Sequence, residues 1–367
     1  MEQNLSSYFE DVKDPRVVGR CAHLLSDILL IAICTYITGG TDYQDMYMFS
    51  RERGENLKGV LLKLPNGSPS ADTFERVFKH LDVDSLKNCL FTYGKDILDV
   101  LSEKQIVLDG KKLKGVSPTS KGNSGCYILN AWVSENRICV GQKKVNDKSN
   151  EITAIPDVLS SLDIKDSVVT IDAMGTQTKI AEQIRKQEGH YLLSVKSNQN
   201  DLLEDVECAF KVHQGYDFVE ETERGHGRTD TRRCSILPAK DFLMEETLQS
   251  WKDLTTLVRI EATRNIKGVR SEETRYYISS ENISKAAYYQ SLVRGHWSIE
   301  NQLHWHLDVT FKEDDCRART GNAPENLSTL RKFVLQIISN VDDKLSLKKR
   351  QYKAALDFAY MRKILKI

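Results

Sequence analysis

Two aspartates in this sequence stand where a buried strand is predicted to end. Asp109 follows the apolar residues 105–108, and Asp172 follows the apolar residues 167–171. Ligands bind beyond the carboxyl ends of strands in open α/β sheets, so both carboxylates are candidates for one shared site. The alternative, that each aspartate only begins a turn, stays open.

A third acid, Glu300, lies in a helix predicted over about residues 284–307. One face of this helix consists, at helical spacing, of positions 293, 296, 297, 300, 303, 304 and 307. Apart from Glu300, the residues at these positions are apolar, aromatic or histidine. The spacing therefore predicts that Glu300 is buried. Because an unpaired buried carboxylate is costly, Glu300 needs either a salt bridge or proton, or a metal ion shared with other acids.

Three convergent carboxylates would repel one another unless cations lie between them. Carboxylate oxygens favour Mg²⁺ or Mn²⁺, and two such ions about 4 Å apart can catalyse phosphoryl transfer. A zinc site is the alternative, since His296, Glu300 and His304 are spaced four residues apart. The HExxH pattern is absent, however, and no further zinc-ligand spacing is evident.

Overall charge does not indicate a nucleic-acid partner, because 52 Lys and Arg balance 52 Asp and Glu. Local charge is uneven, since residues 331–367 hold 10 Lys and Arg against 3 Asp. This basic segment is either a solvated helix face or a phosphate contact.

Two short polar segments are candidate DNA contacts. The first follows a predicted strand at 191–195, and the second is a glycine-rich stretch at 223–228. A helix cap and a solvated hairpin are the respective alternatives. Their candidate residues are Lys196, Asn198 and Gln199, and Arg224, His226 and Arg228.

The order of predicted elements indicates an α/β protein. Residues 1–100 are predicted to be a helical N-terminal domain, whose short helices could read DNA or serve only for packing. Residues 101–340 follow as a catalytic domain with β-β-β-α-β-α-β order, a mixed sheet flanked by helices and a β-rich insertion at about 215–280. Residues 341–367 are predicted to be a basic, helical C-terminal tail.

Several sequence motifs together resemble the H repeat-associated transposases of bacterial insertion sequences, a branch of the DDE transposases. The resemblance covers nearly the whole chain, and its most specific part is His-Trp-Ser-Ile-Glu-Asn at 296–301. Further matches are Leu-Asp-Gly-Lys at 108–111, Ile-Asp-Ala-Met-Gly-Thr-Gln at 171–177 and Glu-Arg-Gly-His-Gly-Arg at 223–228.

This resemblance implies an RNase H-like fold and metal-dependent cleavage and strand transfer of DNA. It implies that Asp109, Asp172 and Glu300 are catalytic residues that hold two Mg²⁺ or Mn²⁺ ions. The implied partner is double-stranded DNA, both the element's terminal repeats and the target, bound by a homodimer. Residues beside the acids are then expected to contact DNA, namely Lys111, His296, Trp297, Asn301 and His304.

The resemblance also implies a bacterial cytoplasmic, nucleoid-associated protein without a membrane span. The eight cysteines fit this expectation, because they are dispersed without a CxxC pair and suit reduced thiols. The longest apolar run, residues 28–37, is too short to cross a bilayer.

One departure from related transposases concerns the Y-x2-R-x3-E-x6-K signature around the glutamate. Val293, His296 and Leu307 occupy the tyrosine, arginine and lysine positions. A DNA hairpin intermediate is therefore left open. Two other functions also stay open: a catalytically silent DNA-binding remnant of a transposase, and a scaffold protein that needs no metal.

Overall fold

The computed structural model describes residues 5–9, 11–97, 104–116, 126–145, 151–225 and 227–367. Within these ranges the chain forms an N-terminal group of helices, a large sheet with helices against it, and a C-terminal group of helices. The helices are α1 (Leu25–Ile37), α2 (Tyr43–Leu57), α3 (Ala71–His80), α4 (Val83–Ile97), α5 (Glu151–Ser160), α6 (Thr178–Lys186), α7 (Asn200–Val212), α8 (Glu245–Ser250), α9 (Ala286–His296), α10 (Ala323–Ser339), α11 (Leu347–Leu356) and α12 (Phe358–Leu365). The strands are β1 (Gln105–Leu113), β2 (Cys126–Val133), β3 (Ile138–Val145), β4 (Val168–Ile171), β5 (His190–Val195), β6 (Asp217–Gly225), β7 (Arg228–Pro238), β8 (Thr256–Ile266) and β9 (Val269–Ser279).

All nine strands join one mixed sheet in the order β3-β2-β1-β4-β5-β9-β8-β7-β6. Strands β1, β4 and β5 are parallel, whereas β2, β3 and β6 to β9 run antiparallel to their neighbours. The predicted α/β class and mixed sheet are therefore confirmed. The first half of β1 and the strands β4 and β5 are central and largely buried, because both faces of the sheet are covered there.

The predicted β-rich insertion is present as β6 to β9, and it continues the sheet instead of forming a separate one. Strand β9 pairs antiparallel with β5, with Leu193 opposite Ile278. The hairpins reach far beyond the core, so their outer residues are exposed and polar.

The N-terminal helices share their apolar core with the C-terminal half of the chain. Side chains of α1 and α3 belong to the same buried cluster as those of α10 and α12, including Ile28, Phe74, Phe333 and Ile364. Helix α10 is buried along nearly its whole length, and its Arg331 guanidinium stacks on the Tyr36 ring at 5.2 Å. The division into domains at residues 100 and 340 stays a prediction.

Among the described residues, no helix is both long enough and apolar enough to span a lipid bilayer.

The buried side-chain amide of Asn326 joins α10 to the C-terminal end of α3, and its removal is expected to destabilise the protein. Asn326 on α10 is fully buried and donates from Nδ2 to the carbonyl oxygens of Phe78 and Leu81, each at 3.0 Å. We predict that Asn326→Ala lowers the free energy of unfolding by about 1–3 kcal/mol, because it leaves buried carbonyl groups with fewer donors. Denaturant unfolding measures the change. In the control Gln249→Ala, which removes an exposed bond to Glu245, a loss of equal size would contradict the assignment.

Candidate active site

The two predicted aspartates lie beside each other because their strands are parallel neighbours. Leu108 of β1 pairs with Ile171 of β4, so Asp109 and Asp172 are the next residues of adjacent strands. Asp172 then turns the chain, since its Oδ1 accepts from the backbone N–H groups of Met174 (3.1 Å) and Gly175 (3.4 Å). The prediction that a strand ends before Asp109 is wrong, because β1 continues to Leu113, whereas β4 ends at Ile171 as predicted.

Glu300 reaches the same cavity, but the prediction that it is buried is wrong. Helix α9 ends at His296, and the chain continues as a π-helix over Ile299–His304. A π-helix has a wider turn than an α-helix, so the spacing of 3.6 residues no longer applies. Ile299 is buried instead, and Glu300 is exposed beside the cavity that Asp109 and Asp172 line.

Polar contacts fix the helix before Glu300 against the sheet. Gln105 donates from Nε2 to the carbonyl oxygen of Leu292 (2.7 Å) and to Oγ1 of Thr170 (3.1 Å). Gly295 permits this close approach, because a Cβ there would lie 1.9 Å from Oε1 of Gln105. The Thr170 hydroxyl, which accepts from Gln105, lies 3.1 Å from Nδ1 of His296. His296 is thereby held by β4 at the edge of the cavity.

His304, four residues after Glu300, also faces the acids. Asp109, Glu300 and His304 each offer a ligand atom, and these atoms all lie within 4.8 Å of one another. Asp172 lines the adjoining cavity of about 210 Å³. This donor set of carboxylates and one imidazole fits a divalent transition-metal ion or, through its oxygens, Mg²⁺.

The electrostatic environment of the three acids favours a bound cation. Burial of Asp109, followed by the nearby charges of Asp172 and Glu300, raises the pKa of its carboxyl group to about 7. Burial lowers the pKa of the His304 imidazole to about 3, with a further contribution from Lys111 and Lys332. Near neutral pH, Asp109 is therefore easily protonated in the absence of a cation, whereas His304 is neutral.

Lys111 was expected to contact DNA, but the structure buries it in a cluster of acids. Its Nζ lies 2.6 Å from Asp308, 3.5 Å from Glu313 and 3.6 Å from Asp314. These ion pairs attach β1 to the segment that follows the π-helix. Burial similarly removes His304 from the set of exposed candidates for DNA contact.

The polar residues after β5 have mixed placements. Lys196 is exposed and lines the cavity of the acids. Asn198 donates from Nδ2 to the carbonyl oxygen of Ala173 (2.6 Å), and Gln199 donates from Nε2 to that of Thr176 (2.9 Å). The two amides therefore support the turn that follows Asp172, while Lys196 is free to meet a phosphate.

A larger groove adjoins the cavity and carries most of the remaining candidates. It is about 790 Å³ in volume, lies between the insertion strands and α9, and includes Arg228, Trp297 and Asn301 in its lining. Arg275 stacks on the exposed Trp297 ring at 4.7 Å and lines both the groove and the cavity. Arg224 is exposed near the tip of the β6–β7 hairpin. His226 lies outside the described residues.

Sequence reasoning missed two residues at this site. Glu151, the first residue of α5, is buried with its carboxylate against Gly110, where a Cβ would lie 2.3 Å from Oε1. Its charge contributes to the raised pKa of Asp109. The second is Arg275, which was missed because it is one of many arginines in polar strands. Neither residue lies in a pattern that would have distinguished it before the chain is folded.

Comparison with known families gives two matches that together span most of the chain. Residues 101–337 match the family model described as a transposase DDE domain. Residues 6–93 match the model described as DDE_Tnp_1-associated.

Similar proteins of Escherichia coli are described as putative transposases. The H repeat-associated YhhI of strain K12 is 34% identical over 374 residues, covering 99% of this chain and 98% of that protein. YncI of strain O157:H7 is 35% identical over 376 residues, covering 99% and 94%. Among solved structures, a cryo-EM structure of the piggyBac transposase synaptic complex with hairpin DNA has a TM-score of 0.42 and 13% identity, covering 96% of this chain and 76% of that one.

The raised pKa of Asp109 gives a prediction about stability and pH. The folded pKa of about 7 exceeds the ordinary value of 3.8, so the folded state binds an extra proton between these limits. Stability should therefore fall as pH rises from about 4 to 7. We predict that Asp109→Asn removes this loss and raises the free energy of unfolding at pH 8 by roughly 2–4 kcal/mol in chelator-treated buffer.

Urea unfolding at pH 4 and pH 8 measures this difference, and the two proteins should be nearly equal at pH 4. Asp343 is a matched control of opposite sign, because its hydrogen bond from Tyr360, with those from Leu345 and Arg350, lowers its pKa to about 2. Asp343→Asn should destabilise the protein at pH 8. An Asp109→Asn variant that is less stable than the parent at pH 8 would contradict the prediction.

Proposed function

The chain belongs to the DDE transposase family, among the H repeat-associated transposases, and from this premise we propose that it cleaves and joins insertion-sequence DNA ends in a metal-dependent reaction. One observation carries the proposal: Asp109 on β1 and Asp172 directly after β4 lie at adjoining positions of neighbouring parallel strands, and Glu300 lines the same cavity. An RNase H-like core with a helical N-terminal DNA-binding domain is part of the proposal. The strand-helix order from β1 to β5 supports it.

Asp109, Asp172 and Glu300 would hold the metal ions, which we propose to be two Mg²⁺ or Mn²⁺. Bound divalent cations would activate a water or 3′-hydroxyl nucleophile and stabilise the leaving oxygen. The protein's own groups orient the DNA: the exposed Lys196 at the cavity would bind a phosphate near the acids. Apolar walls formed by Ile171 and Ile299 limit water around the carboxylates and strengthen their interaction with cations.

We propose that double-stranded DNA lies along the groove beside the cavity. Arginines from β7, β8, β9 and α9 line it, and Asp230 holds two of them in place. Its Oδ2 lies 3.1 Å from Nε of Arg228, and its Oδ1 accepts from Nε of Arg264 at 2.8 Å. Because Asp230 is buried, these guanidinium groups have restricted positions while their outer faces remain available to phosphates.

We further propose that the chain acts as a homodimer on DNA, since the reaction would bring two element ends together, and that it associates with the nucleoid, where its DNA substrate would lie. The substituted signature positions bear on the reaction path. Val293 and Leu307 are buried and apolar, so they cannot supply the DNA contacts of the tyrosine and lysine they replace. We therefore propose that the DNA ends are cleaved without a DNA hairpin intermediate that residues 293 and 307 stabilise.

The three acids are expected to be individually necessary for cleavage. We predict that Asp109→Ala, Asp172→Ala and Glu300→Ala each lower Mg²⁺-dependent cleavage of terminal-repeat DNA by about two orders of magnitude or more, because each removes charge that holds the catalytic cations. The assay is nicking of labelled duplexes taken from the ends of the element that carries this gene.

Asp201→Ala is the matched control, because this exposed aspartate on α7 lies away from the cavity; it should cleave normally. Retained cleavage in all three site variants would overturn the assignment. Binding of end DNA by the parent protein, without turnover under any divalent metal, would instead indicate a catalytically silent remnant. Calorimetric absence of Mg²⁺ and Mn²⁺ binding would indicate a scaffold.

Arg224 tests the proposed DNA path separately from chemistry. It is exposed on β6 next to the groove strands. We predict that Arg224→Ala weakens binding to all duplex sequences and reduces the slope of log affinity against log salt by about 1, because one phosphate contact is lost. Fluorescence anisotropy over a salt series measures the slope. Lys240→Ala changes an exposed cation beyond the other end of β7 and should leave the slope unchanged; equal effects would contradict the proposed path.

A further inference from the structure

The imidazole of His304 is a buried polar group that the three-carboxylate mechanism does not use. It is 8% exposed, and its Nε2 has no hydrogen-bond partner among the described residues. Its Nδ1 faces the acids and lies 3.5 Å from Oδ2 of Asp109. A buried histidine with one nitrogen aimed at a carboxylate pair calls for a physical explanation.

The π-helix explains how this side chain reaches the acids. Glu300 and His304 are the second and last residues of the π-helical segment Ile299–His304, and the wider turn brings both side chains close to Asp109 on β1. Leu303 and Leu307, which flank His304 in the sequence, are fully buried and anchor this part of the chain in the core. The π-bulge therefore fixes an imidazole and a carboxylate together, a feature that often marks functional positions.

We propose that His304 is a direct nitrogen ligand of the metal ion that Asp109 and Glu300 hold, so that the site contains a carboxylate–carboxylate–imidazole set in addition to Asp172. This inference rests on the proposed function. It also assigns a preference: an imidazole ligand favours Mn²⁺ over Mg²⁺, because Mg²⁺ prefers oxygen ligands only.

The distance between the imidazole and Asp109 is compatible with ligation of one ion. At 3.5 Å it is longer than the usual 2.7–3.2 Å for a nitrogen donor and an oxygen acceptor. Two ligand atoms each about 2.1 Å from one ion lie roughly 3.0–3.4 Å apart at ordinary coordination angles. The two atoms therefore need to approach each other only slightly to share a cation.

The two ring nitrogens of His304 have different positions relative to the acids. Nδ1 faces Asp109, so coordination through Nδ1 leaves the ring proton on Nε2. His296 provides an internal comparison, because its Nδ1 already lies 3.1 Å from the Thr170 hydroxyl and it is not among the residues whose ligand atoms cluster.

Pulsed electron paramagnetic resonance of Mn²⁺ bound to the full-length protein tests the proposal without relying on activity. We expect a ¹⁴N coupling to bound Mn²⁺, which changes to the ¹⁵N pattern when histidine is isotopically labelled. The coupling should vanish in His304→Asn and persist in His296→Gln. Asparagine keeps an N–H donor near the position of Nδ1, so a role limited to donating a hydrogen bond to Asp109 would survive this replacement.

Calorimetry on the same proteins gives the second measurement. His304→Asn should weaken Mn²⁺ binding by about tenfold or more and Mg²⁺ binding by less. Bound Mn²⁺ without any nitrogen coupling, or a coupling that persists in His304→Asn, would overturn the inference and leave the proposed function intact. Failure of the parent protein to bind Mn²⁺ would overturn both. Labelling of the parent protein shows whether any histidine binds the ion, and a coupling that persists in His296→Gln excludes the other histidine of this cavity, so the decision does not depend on the folding of His304→Asn.

Discussion

The repulsion among the carboxylates around Asp109 is the constraint on which the rest of the site depends. Asp109 is only one-fifth exposed and lies near Asp172, Glu300 and Glu151, so the raised pKa of its carboxyl group reflects charge held without enough water. Such an arrangement costs stability unless a proton or a cation neutralises it. The loss of folding stability that these clustered carboxylates cause is typical of a site whose residues are arranged to bind a ligand.

The surrounding structure holds the acids in place despite their repulsion. The parallel pairing of β1 with β4 fixes two of them, and Gln105 with Gly295 holds α9 against β1. Lys111 then attaches the segment after the π-helix to the same strand through Asp308. Beyond it, α10 packs on the N-terminal helices, so the position of Glu300 depends on a core that extends across most of the chain.

The sequence predicted the parts of this arrangement that follow from local patterns. The strands before Asp109 and Asp172 were predictable because their buried segments are rich in β-branched and other apolar residues. The burial of Glu300 was predicted wrongly, since a pattern of 3.6 residues per turn does not anticipate a π-helix. The pairing of Lys111 with Asp308 and the contact of Glu151 with Gly110 arise only from tertiary structure, which single-sequence patterns do not contain.

The central claim is that these carboxylates together hold divalent metal. Anomalous X-ray diffraction from crystals of the full-length protein grown with Mn²⁺ tests it most directly, because manganese scatters anomalously and the side chains do not. We expect a strong anomalous peak within coordination distance of Asp109 and shared with Glu300 or Asp172. A map with no peak beside Asp109 and Asp172, at Mn²⁺ concentrations that saturate binding in solution, would contradict shared metal binding by these acids.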